Sequence, residues 1–131
     1  MTLAKLTPQD VLLIAQAHAA GRPCPQCQVF ACPGWESFPA SASESALEPV
    51  GTLWAAGEDE EPTLAEFRTP GIDNWSPEAP VALRHHPYNR CEVWQCVSCQ
   101  RPFLRYTEYG GYYFDRRIRE LDPARIVRDD L

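Results

Sequence analysis

The sequence lacks any apolar run approaching the roughly 20 residues that a membrane span requires. Its first five residues carry a single positive charge, at Lys5, and the polar sequence Thr-Pro-Gln-Asp at 7–10 interrupts any stretch of the signal-peptide type. A membrane protein and a secreted protein are therefore both disfavoured. We expect a cytoplasmic protein without membrane contact.

Positive charge is also scarce. Lys and Arg together number 12 against 18 Asp and Glu, which gives a formal net charge of −6. Residues 1–83 carry a net charge of −8 and residues 84–131 a net charge of +2. Phosphate affinity comes largely from Lys and Arg, so this balance argues against a dedicated nucleic-acid binder. The mildly basic C-terminal part keeps that class open.

Catalytic motifs are lacking as well. The chain has no Gly-rich phosphate loop, no nucleophile elbow and no H-E-x-x-H. The sequence P-C-x-x-C at 23–27 occurs in zinc deaminases, but their accompanying H-x-E is absent from this chain. We therefore predict no catalytic and no cofactor-binding residues. With 131 residues, 44% of them hydrophobic, the chain has enough apolar material for one packed domain.

Cysteines are what the sequence does have, in two triplets spaced C-x-x-C-x4-C and C-x4-C-x-x-C. Two C-x-x-C pairs far apart in sequence are typical of a four-thiolate zinc site, because a tight turn aims both sulfurs of a pair at one ion. We therefore predict one structural Zn²⁺. Its predicted ligands are Cys24, Cys27, Cys96 and Cys99.

Two alternatives to zinc stay open. Six cysteines can form three disulfides, although no secretory context supports this pairing. Cys24 and Cys27 can instead form a redox pair of the thioredoxin type, but such a pair follows a strand and opens a helix. Here the pair follows a predicted helix, and the Pro-Gly sequence at 33–34 soon prevents another.

The segment from Val93 to Phe103, with its Cys96-Val-Ser-Cys99 knuckle, resembles a zinc-ribbon hairpin. Cys24-Pro-Gln-Cys27 resembles the partner knuckle of the same fold group. The resemblance covers residues 22–35 and 90–120, and it implies a four-cysteine structural zinc but no substrate. The long insert between the knuckles and the two extra cysteines depart from a minimal ribbon.

We predict an α+β fold in which residues 1–131 form a single zinc-ribbon-like domain. The predicted order is a helix at 7–20, the first knuckle at 22–35, an irregular Pro-rich insert at 36–87, the second knuckle with a strand meander at 88–119, and a short helical turn at 120–131. The insert is too apolar for a disordered linker, yet its prolines disfavour a continuous helix or a central strand. We expect it to wrap on the ribbon.

The helix has clear boundary signals. Thr7 is a plausible N-cap, Pro8 suits the first helical position, and Asp10 completes a capping box, while Gly21 supplies a stop. The apolar spacing puts Val11, Ile14, Ala15 and His18 on one face. We therefore expect His18 to be a partly buried helix residue and not a ligand.

The C-terminal part predicts an antiparallel meander. Its strands are expected at 92–95, 103–109 and 112–118, with Gly110 and Gly111 forming a two-residue hairpin of type I′ or II′. Asp122 then caps a short helical turn that has Pro123 at its first position.

Residues 101–119 interleave five arginines with six aromatic residues. Such a mixture can stack bases and hold phosphates, can form a protein-binding surface, or can simply pack a sheet. If the segment binds a partner, we expect Arg105, Tyr109, Tyr112 and Arg116 to lie on the binding face.

Together these features favour a non-enzymatic, zinc-stabilised interaction module that binds a basic protein, as an adaptor or an immunity-type inhibitor. One alternative is a zinc-ribbon nucleic-acid binder that uses the Arg/Tyr hairpin at 101–119. A second alternative is a redox or metal-dependent enzyme built on the C-x-x-C pairs.

The two remaining cysteines, Cys32 and Cys91, each lie five residues from a knuckle. Five residues of strand span about 16 Å, so neither is expected to bind the same ion. We expect free, buried thiols that sit at the same level of the ribbon and face each other if their strands are neighbours. A second metal site recruiting His85 or His86 is the alternative.

Overall fold

A computed structural model describes residues 3–18, 22–55, 57–58 and 60–131. It contains one α-helix, α1 (Pro8–His18), and five strands, namely β1 (Glu36–Ser37), β2 (Leu47–Thr52), β3 (Glu92–Cys96), β4 (Pro102–Tyr109) and β5 (Phe114–Glu120). The strands form one antiparallel sheet in the order β1-β5-β4-β3-β2. The predicted α+β class is confirmed. In the part of the chain described, no helix is long and apolar enough to cross a membrane.

Helix α1 begins as its sequence predicts. The Asp10 amide donates to Thr7 Oγ1 at 3.1 Å, and the Thr7 amide donates to Asp10 Oδ2 at 2.9 Å, so the capping box is formed. Its predicted last residues and the stop at Gly21 lie outside the described residues.

The buried stripe of α1 differs from the expected one. Val11, Leu12 and Ala15 are buried, Ile14 is half-buried and His18 is exposed. The expectation that His18 is partly buried is therefore wrong. The physical reason is that the core ends at Ala15, and the three residues that follow it in the helix are exposed.

The predicted meander forms β3, β4 and β5, but its hairpin turn is different. Tyr109 pairs with Phe114, so the loop has four residues, and the Gly110 amide donates to the Tyr113 carbonyl at 2.8 Å. Neither Gly110 nor Gly111 has a positive φ, so the predicted two-residue turn is wrong. A Cβ at Gly110 would lie 2.5 Å from the ring of the exposed Tyr113, so another residue there would displace that ring.

The insert supplies both edges of the sheet. Strand β1 pairs with β5, and β2 pairs with β3, so a central strand is avoided as predicted. Pro49 lies within β2, where an edge position tolerates the missing amide, and the register shifts between Pro49 and Gly51. The rest of the insert is irregular and adds buried side chains such as Leu53 and Val81 to the core.

Alternation along the strands gives the sheet two buried faces. The helix face carries Val93 and Leu104, which pack with α1. The knuckle face carries Phe103 and Ile118, which pack with Phe30 of the first knuckle region. The knuckles therefore sit at one end of the sheet, on the opposite side from the helix. At the C-terminus, Asp122 accepts a hydrogen bond from the Ala124 amide and caps Pro123–Arg125 as predicted.

Candidate metal centre

The two knuckles fold into matching turns. In the first, the Gln28 amide donates to the Cys24 carbonyl at 2.9 Å, and in the second the Gln100 amide donates to the Cys96 carbonyl at 2.9 Å. Gln100 has a φ of 65°, which allows the second turn to reverse the chain into β4. The Cys96 amide donates to the Arg101 carbonyl at 3.0 Å and closes this hairpin.

The backbone amides in each turn point to the first sulfur of that turn. Cys24 Sγ receives hydrogen bonds from the Gln26 and Cys27 amides, and Cys96 Sγ receives them from the Ser98 and Cys99 amides. Amide donors stabilise a thiolate, so each turn is built to favour the anionic form of its first cysteine. The amide of Cys27 is the main cause that lowers the pKa of the Cys24 thiol to about 6.

The four knuckle sulfurs converge on one point. Cys24 Sγ lies 3.7 Å from Cys27 Sγ and 3.6 Å from Cys96 Sγ, and Cys27 Sγ lies 3.6 Å from Cys99 Sγ. All four sulfurs lie within 4.8 Å of one another. A tetrahedron with ligand bonds of about 2.3 Å has edges of about 3.8 Å, which agrees with these separations. The four sulfurs therefore have the geometry of a structural metal-binding site.

Burial supports the same conclusion. Cys27 and Cys96 are fully buried, Cys24 is half-buried and Cys99 is exposed. Burial raises the pKa of both the Cys27 and the Cys96 thiol, so neither ionises readily without a compensating charge. A divalent cation supplies that charge, and metal binding would release the thiol protons. The donor set therefore fits a cation that prefers sulfur ligands.

Within the part of the chain described, these four residues are the only group of three or more metal-binding side chains. Cys32 packs on the knuckle face and Cys91 on the helix face, so the expectation that they could face each other is wrong. They separate because Cys32 follows a 3₁₀ turn that folds it under the sheet, whereas Cys91 immediately precedes β3. Both are free and buried, as predicted.

The thiol groups of these two cysteines act as weak donors. Cys32 Sγ donates to the Phe30 carbonyl at 2.9 Å, and Cys91 Sγ donates to the Pro87 carbonyl at 3.3 Å. Burial raises the pKa of Cys32 to about 12 and raises that of Cys91 well above its usual range. Both residues therefore remain protonated and serve as small apolar side chains.

The two adjacent histidines have separate surroundings. His85 Nδ1 lies 2.9 Å from Asp130 Oδ2. His86 lines a cavity of about 630 Å³ together with Glu66 and Glu108, and its Nδ1 has no hydrogen-bond partner among the residues described. Burial lowers the pKa of His86. Neither histidine joins a described cysteine in a cluster.

The four residues expected on a partner-binding face lie in three environments. Tyr109 is 80% exposed, and Tyr112 is fully exposed. Arg116 is exposed and pairs with Glu44 at 3.2 Å. Arg105 is 94% buried, since its accessible fraction is 6%, and it also pairs with Glu44, at 2.7 Å.

Arg105 is held between two aromatic rings. Its guanidinium carbon lies 4.3 Å from the Phe38 ring centroid and 4.6 Å from that of Trp94. No local pattern predicts that Arg105 packs against Phe38, because Phe38 belongs to the irregular insert and is 67 residues away. Glu44, which joins Arg105 to Arg116, was missed for the same reason.

The other arginines at 101–119 also make internal contacts. Arg101 pairs with Glu120 at 2.8 Å, and Arg117 pairs with Asp115 at 3.2 Å while stacking on Trp75 at 3.6 Å. Arg119 is 1% exposed and donates to the Pro33 and Ala79 carbonyls and to the Tyr88 hydroxyl. Little of this positive charge is therefore free to contact a phosphate backbone.

The end of the β4–β5 hairpin that lies away from the knuckles is exposed to solvent. Tyr109, Tyr112, Tyr113 and Phe114 are exposed, and together they occupy the loop and the first residue pair beside it. We call residues 109–114 the hairpin tip. On the helix face just below the tip, Glu108 stands directly opposite Asp115. The aromatic rings of the tip therefore lie next to these two carboxylates.

Comparisons with protein-family models, with curated proteins and with solved structures return no match for this chain.

Proposed function

We propose that this chain is a zinc-stabilised, non-enzymatic interaction module of the zinc-ribbon type, which binds a basic protein through the hairpin tip as an adaptor or an inhibitor. The observation that carries the proposal is the group of four exposed aromatic side chains at residues 109–114. Tyr is enriched at protein interfaces, where its ring gives contact area at little entropic cost. Apolar surface gathered at one loop is costly to expose without such a role.

Zinc is the metal that best suits the four sulfurs. Its closed-shell ion accepts tetrahedral sulfur ligands without an electronic preference, and the sulfur separations of 3.6–3.7 Å match that geometry. Four thiolates leave no open coordination position for a substrate, whereas catalytic zinc keeps one. The site therefore supports a structural ion, and this disfavours the alternative of a metal-dependent enzyme.

The overall charge of the chain favours a basic partner. The net charge is −6, and Glu108 lies next to Tyr109, whereas Asp115, opposite Glu108, is paired with Arg117 at 3.2 Å. Aromatic faces attract Lys and Arg side chains, and a nearby carboxylate strengthens that preference. Loss of four cysteine protons on binding one Zn²⁺ would make the net charge of the chain more negative still.

Nucleic acid is the second candidate, and the contacts of the arginines count against it. Arg105 and Arg119 are buried, and Arg116 is paired with Glu44. A nucleic-acid surface needs cations that can release phosphate counterions.

The experiment compares wild-type protein with a Tyr112→Ala/Tyr113→Ala variant as baits in native cytosol. Leu13→Ala is the matched control, because Leu13 is an exposed apolar residue on α1. We expect wild-type protein and the control to capture the same basic protein and the tip variant to lose it, with equal metal content in all three. The same capture by the tip variant would contradict the proposal. Steep salt-dependent binding of wild-type protein to random duplex DNA would favour the nucleic-acid alternative instead.

A further inference from the structure

The cavity of about 630 Å³ lies on the helix face of the sheet, next to the hairpin tip. One side of it is the loop at 66–75 of the insert, which includes Trp75. The side chains of the sheet that line it are Tyr106, Glu108 and Arg117. We call this space the Trp75 cavity. Its volume lies within the range of ligand sites in proteins.

One wall of the Trp75 cavity already holds a guanidinium group of this chain. The guanidinium carbon of Arg117 lies 3.6 Å from the Trp75 ring centroid. Arg117 also donates to the Tyr106 hydroxyl at 3.2 Å and pairs with Asp115 at 3.2 Å. A flat ring, a hydroxyl acceptor and a carboxylate are the groups that a guanidinium prefers. The lining therefore has the chemistry that binds arginine.

A second carboxylate of the same wall lacks a cation. Glu108 lies directly opposite Asp115 across the β4–β5 pair, and like charges in this arrangement repel each other. Arg117 pairs with Asp115, but the Glu108 carboxylate has no ion pair or hydrogen bond within the part of the chain that the structure describes. A second guanidinium at Glu108 would relieve the repulsion between the two carboxylates.

The other charges of the lining leave the cavity acidic. Arg68 pairs with Glu66 at 2.8 Å, so both arginines of the lining have a carboxylate of their own. Burial lowers the pKa of His86, which is therefore neutral at pH 7. The carboxylates of Asp73 and Glu108 remain without a matching positive charge on the lining. A cation fits this balance, whereas an anion does not.

We propose that the Trp75 cavity receives an arginine side chain of the basic protein that binds the hairpin tip, with its guanidinium paired to Glu108. The source of this arginine rests on the proposed function. Glu108 is the neighbour of Tyr109 in β4, so a protein that covers the tip also reaches the cavity. The aromatic walls pack against the flat guanidinium.

The first test uses Nα-acetyl-arginine N-methylamide as the probe and the corresponding citrulline derivative as its neutral counterpart of the same shape. The readout is the NMR resonance of the Trp75 indole N–H in the metal-loaded protein, identified by its loss in Trp75→Phe. We expect the arginine derivative to shift this resonance in a saturable manner and the citrulline derivative to bind about tenfold more weakly. No saturable shift, or equal affinity for citrulline, would overturn the proposal.

Two variants locate the binding site of the probe. Glu108→Gln keeps the shape of the side chain but removes its charge, and we expect about fivefold weaker binding of the arginine derivative. Glu48→Gln is the matched control, because it removes the same charge from an exposed residue of β2 that does not line the cavity. Unchanged affinity in Glu108→Gln, or an equal loss in both variants, would contradict the site.

The hairpin-tip variant separates this inference from the proposed function. Tyr112→Ala/Tyr113→Ala should bind the arginine derivative like wild-type protein, because neither tyrosine lines the cavity. Glu108→Gln should capture less of the basic protein from cytosol than Glu48→Gln does. Capture that depends on the tip but not on Glu108 would overturn the arginine site alone. Binding of the arginine derivative without capture that depends on the tip would overturn the proposed function and, with it, the source of the arginine.

Discussion

The two ends of the β4–β5 hairpin differ in almost every respect. At the metal end, the first four residues of β4 are buried, and Phe103 packs with Cys27 and Cys96 of the knuckles. At the hairpin tip, 20 Å or so along the strand at the usual rise, Tyr109 and Tyr112 have most of their surface in solvent. One pair of strands therefore runs from the candidate metal site, where its side chains are buried, to the tip, where its side chains are exposed.

The difference shows which side chains are free to evolve a binding role. Residues at the metal end have two structural roles, since they bring the four sulfurs together and pack with Phe103 and Ile118. Residues at the tip have neither role, so packing does not explain why they are aromatic. Each of the following experiments perturbs one side of this contrast.

The largest effect is expected from loss of the metal. Protein purified without chelator should contain one zinc per chain, and stripping the metal should unfold the domain, because metal-binding energy here is folding energy. Cys96→Ser should do the same, whereas Tyr112→Ala should keep its zinc and its fold. Metal analysis and near-ultraviolet circular dichroism measure both outcomes. A stripped protein that retained its tertiary signal would show that the metal end does not hold the fold.

The next effect concerns two arginines of β5, three residues apart. Arg119 is 1% exposed and donates to carbonyls of the insert, so Arg119→Met should destabilise the protein by about 3 kcal/mol, since those carbonyls lose their partner. Arg116→Met is the control, and its exposed ion pair should contribute less than about 1 kcal/mol. Urea unfolding of the metal-loaded variants measures the difference. Equal losses of unfolding free energy in the two variants would contradict the prediction that the buried arginine contributes more than the exposed one.

A smaller effect is expected from the spare cysteines. Cys32→Ala and Cys91→Ala each remove a buried sulfur and should lower the free energy of unfolding by about 1–2 kcal/mol, with metal content unchanged. Metal content in the double variant decides between packing and ligation. A fall from two zinc ions per chain to one would establish a second metal site.

The smallest effect concerns alkaline pH and separates buried tyrosines from the tip. Burial raises the pKa of Tyr88 and of Tyr106 above the usual value near 10. Because these two tyrosines ionise less readily in the folded protein, they contribute fully to the free energy of unfolding below about pH 10, near the pKa of the unfolded state. That contribution is lost as the pH rises through the raised pKa of the folded state. We expect a tyrosinate absorbance titration with a late component that decreases in Tyr106→Phe and is unchanged in Tyr112→Phe. A Tyr106→Phe curve with the same late component would contradict this.

Local signals in the sequence were sufficient for several elements. The capping box of Thr7 and Asp10 fixes the start of α1 through contacts within four residues. The cap formed by Asp122 depends on the Ala124 amide, only two residues away. The C-x-x-C spacing likewise fixes each knuckle, because the donors to Cys24 and Cys96 lie within three residues. Interactions between residues this close in the chain can be predicted from the local sequence.

The hairpin turn and the helix stripe show where local patterns fail. The Gly110-Gly111 sequence suits a two-residue turn, but Tyr109 pairs with Phe114 and leaves a four-residue loop. On α1, the expected stripe included His18, but the core reaches only as far as Ala15. In both cases the local sequence allows more than one arrangement, and the strand register or the extent of the core decides between them.

By itself the sequence determined the α+β class, the four cysteines that converge and the acidic character of the chain, because spacing, periodicity and charge are properties of the chain order. Only the tertiary structure decided that the insert supplies both sheet edges and that Arg105 lies between Phe38 and Trp94. It also decided which aromatic residues remain bare at the tip. The edge pairings and the Phe38–Arg105 contact join residues 40 or more positions apart, and the exposed tip depends on what the fold leaves uncovered, so no local pattern predicts either.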